Sequence, residues 1–304
     1  MQPFRVIVVG FGIQGKKRKT IAGDDCVAIV DPFYPDADFQ DVKEVPLDSY
    51  DAALICTPDG VKTELLTYLL SSKKHVLVEK PLLSDALGHL SHLADENSVT
   101  CYTAYNHRFE PHFVNLKQVI QSGELGKIYH CRLFYGNGTA RDVRNSPWRD
   151  QGTGVLVDLG SHLLDTLLFW FGHQTFDFRL TKCHTFENKS PDHMLMCTDT
   201  PFSIDMEISL MSWRNHFTCD LIGSEGSAHI ESLCKWGPST LTIRKRKLPS
   251  GRPDERAQTL INPDPTWALE YTHFQKLCKT GTSNIENDKI IHRILNHLST
   301  EVCV

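Results

Sequence analysis

The sequence predicts two domains of different class: an α/β unit built on a doubly wound parallel sheet, then an α+β unit built on a mostly antiparallel, open-faced sheet. Three observations carry this reading. Through residue 104, short apolar strands alternate with helical segments, the rhythm of strand–crossover–strand units. A glycine-rich turn joins the first strand to the first helix. From about residue 177 to 243, strands follow one another with only turns between them, which suits antiparallel pairing.

Taken in order, strands are expected at 5–9, 26–30, 52–55, 75–78 and 100–104, with helices at 15–21, 60–70 and 84–96. Beyond Tyr105 the rhythm changes. A helix is expected at 112–122, a strand at 127–135 and one long helix at 154–171, followed by the strand-rich stretch in which Gly223 and Gly226 mark a turn. Helices close the chain at 265–279 and 288–301. The expected domains are 1–105 and 106–304, with one terminal helix returning to the first. The 304 residues suffice for two cores.

Composition narrows the function. The chain is 40% hydrophobic and 23% charged, as globular proteins are. A net charge of -5 argues against a nucleic-acid partner. No apolar run reaches the roughly 18–20 residues of a membrane span, and the apolar start reads as a strand, not a signal peptide. Ten cysteines are scattered without CxxC spacing, and there is no HExxH. No metal site is expected, and reduced thiols in a cytoplasmic setting are.

Gly10-Phe11-Gly12-Ile13-Gln14-Gly15 is a GxGxxG run placed between a strand and a helix, the context of a Rossmann dinucleotide site. Gly10 permits the tight turn, Gly12 lets the backbone approach a pyrophosphate, and Gly15 allows close helix–strand packing. The helix N-terminus supplies N–H groups to the phosphates. Asp31 ends the second strand, where a carboxylate accepts from ribose hydroxyls and repels a 2′-phosphate, so NAD is expected over NADP. The run Lys16-Lys17-Arg18-Lys19 reads as a solvated helix face; a basic residue there that reached a phosphate would keep NADP open. Thr57 and Pro58, after the third strand, are expected on the nicotinamide-ribose side. Glu79 and Lys80 of Glu79-Lys80-Pro81 leave the fourth strand at the same sheet edge, where both are expected to contact the cofactor.

The segment 154–171 is apolar nearly all round, yet Asp158, Ser161, His162 and Asp165 recur at helical spacing. They are expected on one stripe. Buried polar groups need partners; a core histidine held by a carboxylate would satisfy this, and so would a catalytic site.

These residues resemble the glucose–fructose oxidoreductase/inositol dehydrogenase family (Gfo/Idh/MocA). The resemblance rests on Gly10 to Gly15, Asp31, Cys56-Thr57-Pro58, Glu79-Lys80-Pro81, Trp148-Arg149, Gly152-Thr153-Gly154, Asp158-Leu159-Gly160-Ser161-His162-Leu163-Leu164-Asp165 and the late turn Gly223-Ser224-Glu225-Gly226-Ser227. The Gly-Thr-Gly triplet departs from the family's usual glycine triplet. The resemblance implies that Lys80, Asp158 and His162 are catalytic. The reaction it implies is NAD(H)-dependent interconversion of a secondary alcohol and a ketone on a sugar, cyclitol or nucleotide sugar. An unperturbed imidazole titrates near pH about 6.5, which suits His162 as the base. Lys80 would stabilise the alkoxide. Tyr105, Asn106, Arg108, Trp148 and Arg149 are expected to contact substrate. Two alternatives stand beside this reading: an NAD-dependent glycosidase working through transient oxidation, and a non-catalytic NAD-binding regulator. Segments 128–135 and 204–211 carry apolar residues on both alternations, so the open sheet face is expected to be buried in a homodimer or larger homo-oligomer.

Overall fold

The computed structural model describes residues 4–147 and 149–302. It divides into two compact units, Met1–Asn106 with Trp267–His292, and His107–Thr266 with Arg293–Val304. The sequence placed the boundary at residue 105 with one terminal helix returning to the first domain; the segment that returns to the first unit is residues 267–292.

In the first unit, β1 (Val6–Val9), β2 (Cys26–Val30), β3 (Ala52–Ile55), β4 (His75–Glu79) and β5 (Cys101–Ala104) form one parallel sheet in the order β2-β1-β3-β4-β5. Its crossovers include α1 (Ile13–Ala22), α2 (Asp59–Ser71) and α3 (Leu87–Asn97). Both sheet faces are covered. Ile7, Val9, Ala53 and Ile55 pack with Leu66, Leu69 and Leu70 of α2. Val6, Val8, Ala52 and Leu54 pack with Tyr271 and Phe274, and this explains why residues 267–292 belong here. Burial on both faces is what makes these strands continuous apolar runs. β1 has β2 on one side and β3 on the other. The strand order reverses at β1, and its carboxyl end is the switch point where such sheets take ligands.

The second unit opens with α4 (Pro111–Gln121), β6 (Ile128–Gly136) and the short α5 (Ala140–Arg144). The expected long helix is a π turn over Leu156–Gly160 that runs on as α6 (Ser161–Phe171). Then come β7 (Arg179–His184), β8 (His193–Thr198), β9 (Ser203–Ser209), β10 (His216–Gly223), β11 (Gly226–Glu231), β12 (Ser239–Lys245) and β13 (Asp254–Leu260). They form an eight-stranded sheet in the order β13-β12-β11-β10-β6-β9-β8-β7, in which only β6 and β9 pair in parallel. Two helices follow, α7 (Thr266–Cys278) and α8 (Ile285–Glu301), and the unit division falls within α8.

Cys131, Leu133 and Tyr135 of β6, Met206 and Ile208 of β9, and Phe217, Cys219 and Leu221 of β10 are buried. The opposite alternation carries His130, Arg132 and Phe134 on β6 and Asp205 and Glu207 on β9. This corrects the expectation of an apolar open face: the second alternation is mainly polar and ionisable. Among the described residues no helix is long and apolar enough to cross a membrane.

Candidate functional site

In the first unit, the glycine loop turns from β1 into α1. Gly10 has φ +88°, and a Cβ there would stand 2.8 Å from the Cys56 carbonyl oxygen. At Gly15 a Cβ would come within 2.0 Å of the Gly10 carbonyl oxygen. These two glycines are demanded by the chain itself. Gly12 is different: nothing lies within 4 Å of its would-be Cβ, so no packing contact requires a glycine there. It caps α1, and among the described residues the helix start has no side-chain cap. Ile13 and Gln14 are exposed in that turn. Such a terminus is suited to an anion.

Asp31 follows β2 and turns back to the loop. Phe11 N–H donates to Oδ2 (2.6 Å), while the Phe33 and Tyr34 N–H groups donate to Oδ1 (2.8 and 2.9 Å). Partial burial would raise the carboxyl pKa, but these three donors hold it below the usual range. Next to the loop, Thr57 Oγ1 is buried and finds no hydrogen-bond partner among the described residues. Pro58 caps α2. An open glycine, an uncapped helix terminus and an orphaned hydroxyl all fit a bound dinucleotide.

The basic run on α1 is not uniformly solvated. Lys16, Lys17 and Lys19 are exposed. Arg18, however, is 1% exposed, pairs with Glu79 and Glu270 at 2.7 Å each, and lies 4.4 Å from the Trp267 ring centre. Burial alone would weaken the guanidinium's hold on its proton, but the two carboxylates hold its pKa above the ordinary value. Glu79, expected to touch cofactor, therefore anchors Arg18. Lys62 supports the same turn: its ammonium donates to the Glu79 and Pro81 carbonyl oxygens (2.7 and 3.0 Å), which flank Lys80. Lys80 itself is half-buried at the end of β4. Tyr105 is fully buried and Asn106 nearly so.

In the second unit, the expected stripe divides. Asp165 is buried and receives a two-pronged ion pair from Arg108 (2.7 and 2.5 Å). Burial raises the Asp165 pKa, opposed by that guanidinium. Arg108 and Asp165 thus have a structural task. Asp158, on the π turn, lies 3.6 Å from Arg149, both partly exposed. Trp148 lies outside the described residues. His162 is 8% exposed and stacks on His107, with ring centres 4.1 Å apart and planes at 19°. Tyr135 meets His162 edge-on at 5.9 Å and 73°. Burial, with Asp158 adding to it, pushes the Tyr135 phenol up. Sequence reasoning passed over His107, Lys62 and Tyr135. His107 sat between residues it did name, but nothing in the spacing marks a ring that stacks on a helix more than fifty residues later.

A doubly wound sheet with a glycine loop at its switch point, followed by a mostly antiparallel sheet unit, defines a two-part nucleotide-binding fold. Residues 4–105 match the family described as "Oxidoreductase family, NAD-binding Rossmann fold", and residues 113–229 match the "GFO/IDH/MocA C-terminal domain". The chain belongs to the Gfo/Idh/MocA family. Over 146 residues it is 31% identical to scyllo-inositol 2-dehydrogenase (NADP(+)) IolW of Bacillus subtilis (strain 168), covering 46% of this chain and 40% of that one. Over 251 residues it is 26% identical to scyllo-inositol 2-dehydrogenase (NAD(+)) of the same organism, covering 78% and 70%. The fold is similar to that of levoglucosan dehydrogenase in complex with NADH, with a TM-score of 0.83 at 17% identity over 99% of this chain and 98% of that one. The aligned stretch thus spans well under half of IolW.

Proposed function

We propose that this chain is an NAD(H)-dependent oxidoreductase that interconverts a secondary alcohol and a ketone on a sugar, cyclitol or nucleotide sugar. The observation that carries the reading is His162, an enclosed imidazole stacked on a second ring, on the turn and helix that also bear Asp158. His162 takes the hydroxyl proton in oxidation and returns it in reduction. The Lys80 ammonium, held by the turn that Lys62 clamps, stabilises the developing alkoxide. Asp158 and Arg149 accept from and donate to neighbouring substrate hydroxyls. Gly10, Gly12, Ile13, Gln14, Gly15, Asp31, Thr57 and Pro58 are the residues that would hold the dinucleotide, whose nicotinamide supplies the hydride chemistry when bound.

Asp31 supports NAD over NADP. A carboxylate has about four acceptor sites; three backbone donors occupy three of them, which leaves one on Oδ2 for a ribose hydroxyl. We also infer that copies of the chain associate through the open face of the eight-stranded sheet.

The test is a panel of sugars, cyclitols and nucleotide sugars, read by NADH absorbance with each dinucleotide. On a substrate so found, His162→Ala and Lys80→Ala each lose at least about 100-fold in turnover while dinucleotide binding persists. Near wild-type turnover in both variants would sink the assignment.

A further inference from the structure

His162 does not stand by itself in the second unit. His107, 2% exposed, lies on the 3-10 turn Asn106–Phe109, and its ring covers one face of the His162 ring. Lys235, from the 3-10 turn Cys234–Trp236, places Nζ 2.8 Å from His107 Nε2. An ammonium has three donors and no acceptor. Nε2 must therefore carry the lone pair, and the proton of a neutral His107 ring sits on Nδ1. Lys235 also lies 4.9 Å from the Trp236 ring centre, and Trp236 stacks on Tyr135 at 5.7 Å and 27°. Tyr135 in turn touches both imidazoles.

The two turns are tied together. Glu110, fully buried, donates its N–H to the His107 carbonyl oxygen (3.0 Å). Its carboxylate accepts from Cys234 N–H (2.7 Å) and Cys234 Sγ (3.4 Å). The turn that carries His107 and the turn that carries Lys235 thus share one anchor.

We propose that His107 and Lys235 are positioning residues for His162: Lys235 fixes the tautomer of His107, and His107 fixes the plane of the His162 ring and, with the nearby ammonium, disfavours a proton on it. The inference rests on the reading of His162 as the base. Its physical content is like-charge exclusion. An imidazolium at His162 would lie face-on over a ring already bonded to a cation, and like charges disfavour ionisation. The opposing charges nearby are Asp158, which faces Tyr135 and pairs with Arg149, and Glu110 and Asp264, which act on the Cys234 turn. Asp158 favours protonation of His162, and the Lys235–His107 pair opposes it. The pair thereby keeps the base able to accept a proton near neutral pH.

The experiment uses the full chain with 15N-labelled histidine. Long-range proton–nitrogen spectra are followed from about pH 5 to pH 8, the range in which an unperturbed imidazole titrates. His107→Gln and His162→Gln assign the two rings. In the wild type, His107 shows a protonated Nδ1 and a bare Nε2 throughout. Lys235→Met keeps the stem and removes the charge. The His162 midpoint then rises by at least about half a unit, His107 begins to titrate, and Lys235→Arg restores both. An unchanged His162 midpoint in Lys235→Met overturns the inference. So does a protonated Nε2 in neutral wild-type His107, a readout that stands even where the variant does not fold. The spectra need no substrate. If they shift as stated and the wild type turns over nothing in the panel, the oxidoreductase reading fails and the coupling of the three side chains stands.

Discussion

Arg18 shows how far one residue's environment can depart from its neighbours'. Three lysines surround it in sequence and point to water, while its guanidinium sits between Glu79 and Glu270. Removing one partner of a buried ion pair leaves an uncompensated charge and costs about 3–5 kcal/mol. Arg18→Leu is therefore expected to lose that much in urea unfolding. Adding Glu270→Leu should recover a large part, because Glu270 is fully buried and Glu79 is not. A single variant within about 1 kcal/mol of wild type would refute the assignment. Asp31 works the other way, as a surface-edge group with a defined charge. Its folded pKa is depressed, so it is anionic through the neutral range, and a carboxylate at that position is expected to repel a 2′-phosphate. NADH is expected to bind at least about tenfold more tightly than NADPH, a difference of about 1.4 kcal/mol. Asp31→Asn should erase most of that preference. Fluorescence titration of both dinucleotides checks it, and a wild type that prefers NADPH would overturn the reading.

At the scale of elements, the parallel sheet was legible because its strands are apolar runs separated by helical stretches, and all five fall where the pattern put them. β13 was not legible: Asp254–Leu260 is an edge strand exposed along almost its whole length, so no alternation marks it. The π turn was also hidden. It breaks the 3.6-residue period on which the single stripe was drawn, and Asp158 and Asp165 end up with different partners, Arg149 and Arg108. Partners distant in sequence, such as Arg18 with Glu270, leave no local signal at all. Between β4 and β5, His75 adds a pH-dependent element. Thr100 N–H donates to His75 Nδ1 (2.9 Å), so that nitrogen must be bare. Burial lowers the His75 pKa, with Asp51 opposing; burial also lowers that of His112 in the second unit. The unfolded chain binds these protons more readily than the folded one. Their contribution to stability is complete above the unfolded value of about 6.5 and shrinks as pH falls through it. The melting temperature is expected to drop between about pH 6.5 and pH 5, and His75→Gln should flatten that slope. An equal slope in wild type and variant would exclude His75 as a source.

At the scale of the whole molecule, the open sheet face asks what covers it. An antiparallel sheet can leave one face in water, and the polar alternation found here permits that. Yet the ionisable groups on this face are paired by type, imidazole against carboxylate. His229 meets Asp220 at 2.6 Å, His130 meets Asp205 at 3.6 Å, His216 meets Glu231 at 3.8 Å, and His193 meets Glu207 at 3.9 Å. Phe134 sits among them against His216, and the exposed Phe186 stacks on His184. A two-fold interface has to be self-complementary, and a face that alternates imidazoles with carboxylates meets that condition. Eight strands at about 4.8 Å, each about seven residues long at about 3.3 Å, span roughly 38 by 23 Å. That is close to the roughly 800 Å² a standard interface takes from each partner. A homodimer at micromolar concentration is therefore the expected state in light scattering. Asp205→Lys with Glu207→Lys places two cations beside His130 and His193, reverses the local field on both copies at once, and should give monomers without loss of fold by circular dichroism. Because the pairs are partly exposed, added salt should weaken the wild-type dimer. A wild type that scatters as a monomer at low salt would show that this face is built for water.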